Sequence, residues 1–279
     1  MPSAKTIVKK AVVGPVAAAV STLNSAKRQQ DGLLPPISRS AFLDSIPKLR
    51  SVLELGPFDV PQIVGPGAAY FDVLNQEELR KRAVQEERDP AGCPVIDYVS
   101  ECGDLSIVPV PFDAVFSAHV IEHQYDLIQH LIDVYRILKP GGSYYLIIPD
   151  KRYCFDHFLK TSSIDDVVEA ASGGSAKNVE RAIRDSYHNL SHSIPWKHWL
   201  GLHGQRIDYR GMDKADCEPA IESFRAGKYR DVHTFHFTPS SFHAILSGLF
   251  ALGRIPLRPV AVHDTRFGVQ EFFAVLERP

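Results

Sequence analysis

Two acidic residues lie where a nucleotide-binding α/β fold needs them. Glu54 belongs to the apolar run 51–55 (SVLEL) just before Gly56, and Asp72 follows the run Ala69 to Phe71, 18 residues beyond Glu54. In dinucleotide-type folds an acid about 20 residues past the first glycine turn accepts the ribose hydroxyls. The spacing therefore predicts that Asp72 binds the ribose of a nucleotide-like cofactor.

A second pattern suggests different chemistry. His119, Glu122 and His123 satisfy H-x-x-E-H, in which two histidines one helical turn apart hold zinc, so a zinc peptidase is a rival interpretation. That pattern needs a long active-site helix, whereas here it follows an apolar strand directly and no distinct third ligand is evident. The sequence therefore favours a site without a metal.

The elements that must position these residues are clearest between Phe112 and Asp150. The runs 114–117 and 144–148 (YYLII) are apolar without alternation, as in parallel strands covered by helices on both faces. Between them, apolar residues recur at helical spacing from Leu127 to Leu138 and predict a crossover helix. Pro140-Gly141-Gly142 predicts the sharp turn that ends this helix.

The last part of the chain predicts a return to the same fold. Thr238 is a helix N-cap, Pro239 suits the first helical position, and apolar residues continue to Phe250. Strands are predicted at 255–264 and 270–276. The division is then an N-terminal arm at 1–45, a core at 46–150 plus 237–279, and a mostly helical insertion at 151–236 over the carboxyl edge of the sheet, where ligands bind in such folds.

Composition excludes several classes of protein. With 31 basic and 33 acidic residues among 279 and a net charge of −2, the chain has no basic footprint for nucleic acid. Its four cysteines form no CxxC pair, which favours a reducing, cytoplasmic setting. Lys5, Lys9 and Lys10 precede the modestly apolar run 11–23, which is too short to span a bilayer. It is either a peripheral membrane segment or a packing or disordered arm.

These motifs together resemble the class I S-adenosylmethionine-dependent methyltransferases, specifically methyltransferase type 11. The resemblance covers residues 50–150 closely and 237–279 loosely. It implies a Rossmann-like α/β fold: a seven-stranded sheet with helices on both faces and an antiparallel last strand. Phe58 and Val60 depart from the family, because they replace the second and third glycines of the loop after strand one. The motifs ELGP, HVIEH, PDKRYCFDHF and HFTPSSF further resemble methyltransferases encoded beside, or fused to, glycosyltransferases that build surface polysaccharides.

The resemblance also implies roles for particular residues. S-adenosylmethionine would contact Glu54 and Gly56 at its methionine end, Asp72 at the ribose, and His119 near the methyl group. The adenine would lie beside Gly103, Asp104 and Leu105. Candidates for the base that deprotonates an alcohol are His119, Asp150 and His233, each with a purely structural alternative. Candidates for acceptor binding are Lys151, Arg152, Tyr153 and Trp196, with Trp199 and Tyr187 as further aromatic surfaces.

The function implied is O-methylation of a sugar hydroxyl in a glycan or polysaccharide, with a glycosyltransferase as partner. Two alternatives stay open. One is a methyltransferase for a hydroxylated small molecule of secondary metabolism, and the other is a non-catalytic binding module, which the altered glycine loop suggests.

Overall fold

The computed structural model describes residues 25–47, 51–206 and 213–279. A seven-stranded sheet forms the centre of the described chain, in the order β3-β2-β1-β4-β5-β7-β6. Its strands are β1 (Val52–Leu55), β2 (Ala68–Asp72), β3 (Tyr98–Val99), β4 (Phe112–Ala118), β5 (Leu138–Pro149), β6 (Arg258–His263) and β7 (Glu271–Glu277). Neighbouring strands among the first five are parallel, whereas β7 is antiparallel to both β5 and β6. The predicted sheet with an antiparallel last strand is confirmed.

Helices surround this sheet. Within the described residues they are α1 (Ser25–Gln30), α2 (Arg39–Asp44), α3 (Gln76–Gln85), α4 (Leu127–Ile137), α5 (Ile164–Glu169), α6 (Ser175–His188), α7 (Pro195–Trp199), α8 (Cys217–Arg225) and α9 (Pro239–Ala251). Short 3₁₀ turns occur at Pro90–Gly92, Leu105–Ile107, Ile121–His123, Phe155–Phe158 and Lys214–Asp216. The kink between α5 and α6 contains Gly173 at φ +96°.

The predicted crossover helix is α4, and its end differs in one detail. Asp126 caps the helix by accepting a bond from the Gln129 N–H, and six of its residues are buried. The helix ends at Ile137, and the extended strand begins at Leu138, before Pro140. Pro140-Gly141-Gly142 therefore lies inside β5 rather than in a turn before it, because the residue preceding a proline favours an extended backbone.

The described part of the arm packs on the sheet. Phe42 and Ile46 are buried, and the Phe42 ring stacks on Phe273 at 4.8 Å between centroids. Leu34 forms a parallel bridge with His263 beside β6. The run 11–23, for which the sequence allows either a peripheral membrane segment or a packing or disordered arm, lies outside the described residues. Within the described ranges, every helix is too short or too polar to cross a membrane.

Candidate active site

A cleft of about 790 Å³ opens at the carboxyl ends of β1, β2 and β4. Gly56 follows β1, Asp72 ends β2 and His119 follows β4, and all three line the cleft. Tyr229 and Asp231 line it from the insertion. The strand order thus brings residues that are far apart in sequence to one edge of the sheet, in a volume suited to a nucleoside-sized ligand.

Glu54 holds the loop after β1 in place. Its side chain is buried, and its two carboxylate oxygens accept bonds from the Gln62 N–H at 2.9 and 3.0 Å and from the Ile63 N–H at 2.8 Å. Burial raises the pKa of Glu54 to about 7, although these two amides act in the opposite direction. Glu54 lines the cleft, but its oxygens are already bound to its own loop.

The altered glycine loop still forms a wall of the cleft. Gly56 has φ +66°, and a Cβ there would lie 2.9 Å from Val120 Cγ2, so no larger residue fits without movement. Phe58 adopts φ +47° in place of a glycine. The guanidinium carbons of Arg82 and Arg88 each lie 5.2 Å from the Phe58 ring centroid. These cation–π contacts fix the loop against α3 and the segment that follows it.

Asp72 has the predicted place at the end of β2. Its Oδ1 accepts a bond from the Leu74 N–H at 3.0 Å, and the side chain is mostly buried in the cleft wall. Burial raises the pKa of Asp72 to about 6, although the backbone N–H groups of Leu74 and Val73 lower it. A carboxylate so placed fits a pair of ribose hydroxyls.

Two of the three residues predicted to lie beside the adenine line the cleft, and the third does not. Gly103 and Leu105 line the cleft. Asp104 is exposed, and its oxygens accept bonds from the N–H and hydroxyl of Ser106 at 2.8 and 2.9 Å. Its carboxylate therefore caps the short turn at Leu105–Ile107 instead of facing the cleft.

The three candidate bases have different surroundings. Asp150 is fully buried and accepts bonds from the Arg152 guanidinium and from the Thr265 hydroxyl, the latter at 2.5 Å. It is not among the residues that line the cleft. This environment is that of a structural carboxylate and gives Asp150 no access to an acceptor.

His119 faces the cleft with a fixed orientation. It has φ +55°, which is uncommon for a residue other than glycine, and its N–H donates to the Ile147 carbonyl at 2.9 Å. The ring Nε2 lies 3.3 Å from Glu271 Oε2, and that carboxylate also accepts a bond from Arg39 at 2.7 Å. With the Nε2 proton directed at Glu271, the lone pair of Nδ1 faces Glu122 Oε1, 3.7 Å away.

His233 is held by a buried carboxylate. Its Nδ1 lies 2.6 Å from Asp156 Oδ2. Burial lowers the pKa of His233, but Asp156, together with Glu122 and Asp231, outweighs this effect and the pKa rises to about 9. In the same pair, burial raises the pKa of Asp156 and His233 lowers it more, to about 2. In this environment His233 is therefore a cation at neutral pH and a poor proton acceptor.

A second cavity of about 420 Å³ adjoins the cleft. His123, His233 and Asp231 line both spaces. The second cavity extends into the insertion, where its lining includes Phe155, Leu159, Ile183, Tyr187 and Leu190. The histidines thus stand between a large cleft at the sheet edge and a smaller, partly apolar cavity.

The predicted acceptor residues lie away from both spaces. Lys151 donates to the His157 carbonyl at 3.0 Å, and Arg152 is paired with Asp150. Tyr153 stacks on Trp199 at 3.8 Å between ring centroids, and Trp196 is exposed. Among the aromatic candidates, Tyr187 is the one that lines the second cavity.

Two residues near the site, Glu122 and His123, have no role in the predicted methyltransferase site and occur in the sequence analysis only as part of the H-x-x-E-H pattern. The structure places them in the short turn Ile121–His123 beside His119 and His233. The H-x-x-E-H pattern was the available signal. That pattern does not include His233, because this residue lies more than 100 positions further along the chain.

The fold and the cleft have the features of a known class of enzyme. The sheet order with an antiparallel β7, the tight glycine after β1 and the buried acid ending β2 are those of a class I methyltransferase, and they fit S-adenosylmethionine as cofactor. Residues 68–146, from β2 into β5, match the family model described as "Methyltransferase domain". The fold of the chain and its segment 68–146 are accordingly those of the class I S-adenosylmethionine-dependent methyltransferases.

Solved structures with similar folds have low sequence identity to this chain. A methyltransferase from Aquifex aeolicus is 12% identical, with 94% of this chain and 98% of that chain covered and a TM-score of 0.41. The O-methyltransferase TomG from Streptomyces achromogenes is 13% identical, with 94% and 89% covered and a TM-score of 0.36. The CcbJ methyltransferase from Streptomyces caelestis is 20% identical over 44% of this chain, which spans about half (54%) of that chain, with a TM-score of 0.31. No curated protein matches the chain.

Proposed function

We propose that this enzyme transfers the methyl group of S-adenosylmethionine to a hydroxyl group of a ring-sized acceptor, with His119 as the general base. The observation that carries the proposal is the orientation of His119. Glu271 binds Nε2, so Nδ1 is the proton acceptor, and the ring lies in the cofactor cleft beside the histidines that border the second cavity.

The residues of the chain have distinct tasks in this reaction. Asp72 binds the ribose, and Gly56 allows the close approach of the loop that follows β1. Bound S-adenosylmethionine supplies an electrophilic methyl group: the acceptor oxygen forms the new bond to carbon, and the electron pair of the broken carbon–sulfur bond stays on sulfur. The hydroxyl proton passes to His119 Nδ1 as the oxygen attacks. Glu271 is a positioning residue, because it fixes the tautomer of His119 and stabilises the imidazolium that forms.

The second cavity is the acceptor site in this proposal. Its volume of about 420 Å³ suits one or two rings, and its wall combines apolar residues with the polar groups of Ser186 and His236. The motif resemblance supports a sugar of a glycan as the acceptor and a glycosyltransferase as partner. The apolar side of the cavity, formed by Phe155, Leu159 and Ile183, favours the alternative of a hydroxylated small molecule.

The test compares His119→Asn with the wild-type protein. Asparagine tolerates the left-handed backbone of position 119, and His188→Gln, at an exposed histidine ending α6, is the matched control. Each protein is incubated with S-adenosylmethionine and a panel of free sugars, nucleotide sugars and phenols, and the methylated product is measured by mass spectrometry. We expect turnover to fall by about 10²- to 10⁴-fold in His119→Asn, the range for loss of a general base, while the affinity for S-adenosylmethionine is unchanged.

The alternatives have different outcomes. Equal turnover by His119→Asn and the wild type would show that another group takes the proton. Methylation of nitrogen or sulfur acceptors in preference to hydroxyls would overturn the O-methyltransferase assignment. Preference for phenols over sugars would remove the glycan from the proposal and leave the rest intact.

A further inference from the structure

Glu122 is a buried carboxylate without a hydrogen-bond partner. It is 1% exposed, and neither of its oxygens accepts a hydrogen bond from any described residue. Its charge faces imidazoles, including that of His233 at 3.8 Å, but burying a carboxylate that accepts no hydrogen bond still costs about 1–3 kcal/mol or more. Glu122 lies behind the wall of the cleft, where its neighbours His119 and His123 are lining residues. A carboxylate buried in this position without a hydrogen bond indicates a ligand between it and the imidazoles around it.

Three imidazoles converge on this carboxylate. His119 Nδ1, His123 Nε2 and His233 Nε2 lie 3.7, 3.7 and 3.8 Å from Glu122 Oε1. These separations are too long for hydrogen bonds. They are close to the spacing of about 3.4 Å between two donors that share one tetrahedral metal ion at bond lengths of about 2.1 Å. A metal ion shared by Glu122 and any one of these imidazoles would therefore bring that pair together by only a few tenths of an ångström.

Carboxylates lie close to the other ring nitrogen of two of these imidazoles. His233 Nδ1 is hydrogen-bonded to Asp156 Oδ2 at 2.6 Å. His123 Nδ1 lies 2.9 Å from Asp231 Oδ1, at an angle that does not make a hydrogen bond. In both residues Nε2 is the nitrogen on the side of Glu122. A carboxylate behind a metal-bound histidine is the usual arrangement in metalloproteins, because it fixes the ring and makes the ligating nitrogen more basic.

We propose that Glu122, His123 and His233 bind a divalent first-row transition-metal ion. Two imidazole nitrogens and one carboxylate oxygen suit zinc and its neighbours in the periodic table better than the all-oxygen preference of magnesium or calcium. Candidate ligand atoms of these three residues all lie within 4.8 Å of one another. Three protein ligands leave a coordination position for a substrate, as in catalytic metal sites.

A second histidine cluster in the insertion provides a contrast. His157, His198 and His203 also lie close together. There, however, the ring nitrogens bind backbone and each other: His157 Nδ1 is 2.8 Å from the Arg152 carbonyl, and His198 Nδ1 is 3.1 Å from His203 Nδ1. Among the described residues no carboxylate belongs to this cluster, and these ring nitrogens already have partners.

The role of the metal, although not the site itself, rests on the proposed methyl transfer. His123 and His233 border both the cofactor cleft and the second cavity. A cation between them polarises an acceptor hydroxyl that enters from the second cavity, and that hydroxyl then loses its proton to His119 more readily.

The test measures metal binding directly. The full-length protein is stripped with a chelator and titrated with Co²⁺ by visible absorption and with Zn²⁺ by calorimetry. We expect one tight site in the wild type, weakening by about a hundredfold in Glu122→Gln and in His123→Gln through loss of a ligand. His203→Gln, in the second cluster, is the matched control and keeps the site. Titration of each variant with S-adenosylmethionine verifies that it is folded.

Each outcome decides the question. Co²⁺ binding that is lost in Glu122→Gln and kept in His203→Gln supports the site. Equal binding by wild type and Glu122→Gln, loss in His203→Gln, or no binding at all would overturn it. Because cofactor binding and methyl transfer are measured separately, a stripped enzyme that turns over at the full rate refutes the role of the metal and leaves the methyltransferase assignment standing.

Discussion

Asp72 offers the sharpest test of the cofactor site. We expect Asp72→Asn to weaken S-adenosylmethionine binding by about 10- to 100-fold, because hydrogen bonds to a charged partner contribute about 1.5–3 kcal/mol and each 1.4 kcal/mol is tenfold in affinity. Asparagine keeps an oxygen for the Leu74 N–H, which Asp72 Oδ1 binds at 3.0 Å, so the loop after β2 is preserved. Asp72→Ala leaves the Leu74 N–H without its acceptor, so we expect a larger loss of affinity for S-adenosylmethionine in this variant. Calorimetry at pH 8 measures both, since the raised pKa of about 6 leaves Asp72 ionised there.

The matched control for this experiment is Asp104→Asn. Asp104 is exposed and caps a short turn through Ser106, so its amide variant should bind the cofactor within about twofold of the wild type. An unchanged affinity in Asp72→Asn would refute the assignment of the ribose site. An equal loss of affinity in Asp104→Asn would show that binding depends on the negative charge of the protein near the cleft and not on a direct contact of Asp72 with the cofactor.

Two further predictions concern buried carboxylates. Asp150→Asn should lower the free energy of unfolding by about 2–4 kcal/mol, because the Arg152 guanidinium loses its buried partner. The pH profile of turnover should not change, whereas loss of a catalytic base would alter it. For Glu54, the folded-state pKa of about 7 exceeds the ordinary value of 4.5, so its stabilising contribution is complete below pH 4.5 and is lost as the pH rises through 7. Urea unfolding should show stability falling by up to about 3 kcal/mol between pH 4.5 and 7.5, and Glu54→Gln should abolish that part of the fall; a parallel fall in the variant would contradict the assignment.

The fold could be predicted from the sequence because its signals are local. The run 144–148 is buried at four of five positions, as an all-apolar strand between helices should be. Thr238 caps α9 as predicted, accepting a bond from the Ser241 N–H with Pro239 at the first helical position. In each case the pattern and its consequence lie within a few residues of each other. Local propensity and burial pattern then agree with the tertiary structure.

The site could be predicted only in part, because much of it depends on distant contacts. Asp72 was predictable from its spacing after β1. The partner of His119, however, is Glu271 on β7, and the carboxylates behind His233 and His123 come from the insertion. No periodicity in one sequence reveals which acid will lie behind which histidine. The strand order and the path of the insertion determine those pairs.

The loop after β1 packs closely against its neighbours although two of the family's glycines are replaced. Glycines in such loops let the backbone pack closely against neighbouring segments and ligands. Here the glycine belongs to the neighbouring turn Pro90–Gly92 and not to the loop after β1. A Cβ on Gly92 would lie 2.0 Å from the Asp59 carbonyl oxygen, so only glycine at position 92 allows the turn and the loop to pack together. Arg88 reinforces the contact, because it pairs with Asp59 at 2.8 Å and lies over the Phe58 ring. The close packing of this loop therefore depends on the glycine at position 92, and the replacement of the second and third family glycines is compatible with an ordered loop that lines the cleft.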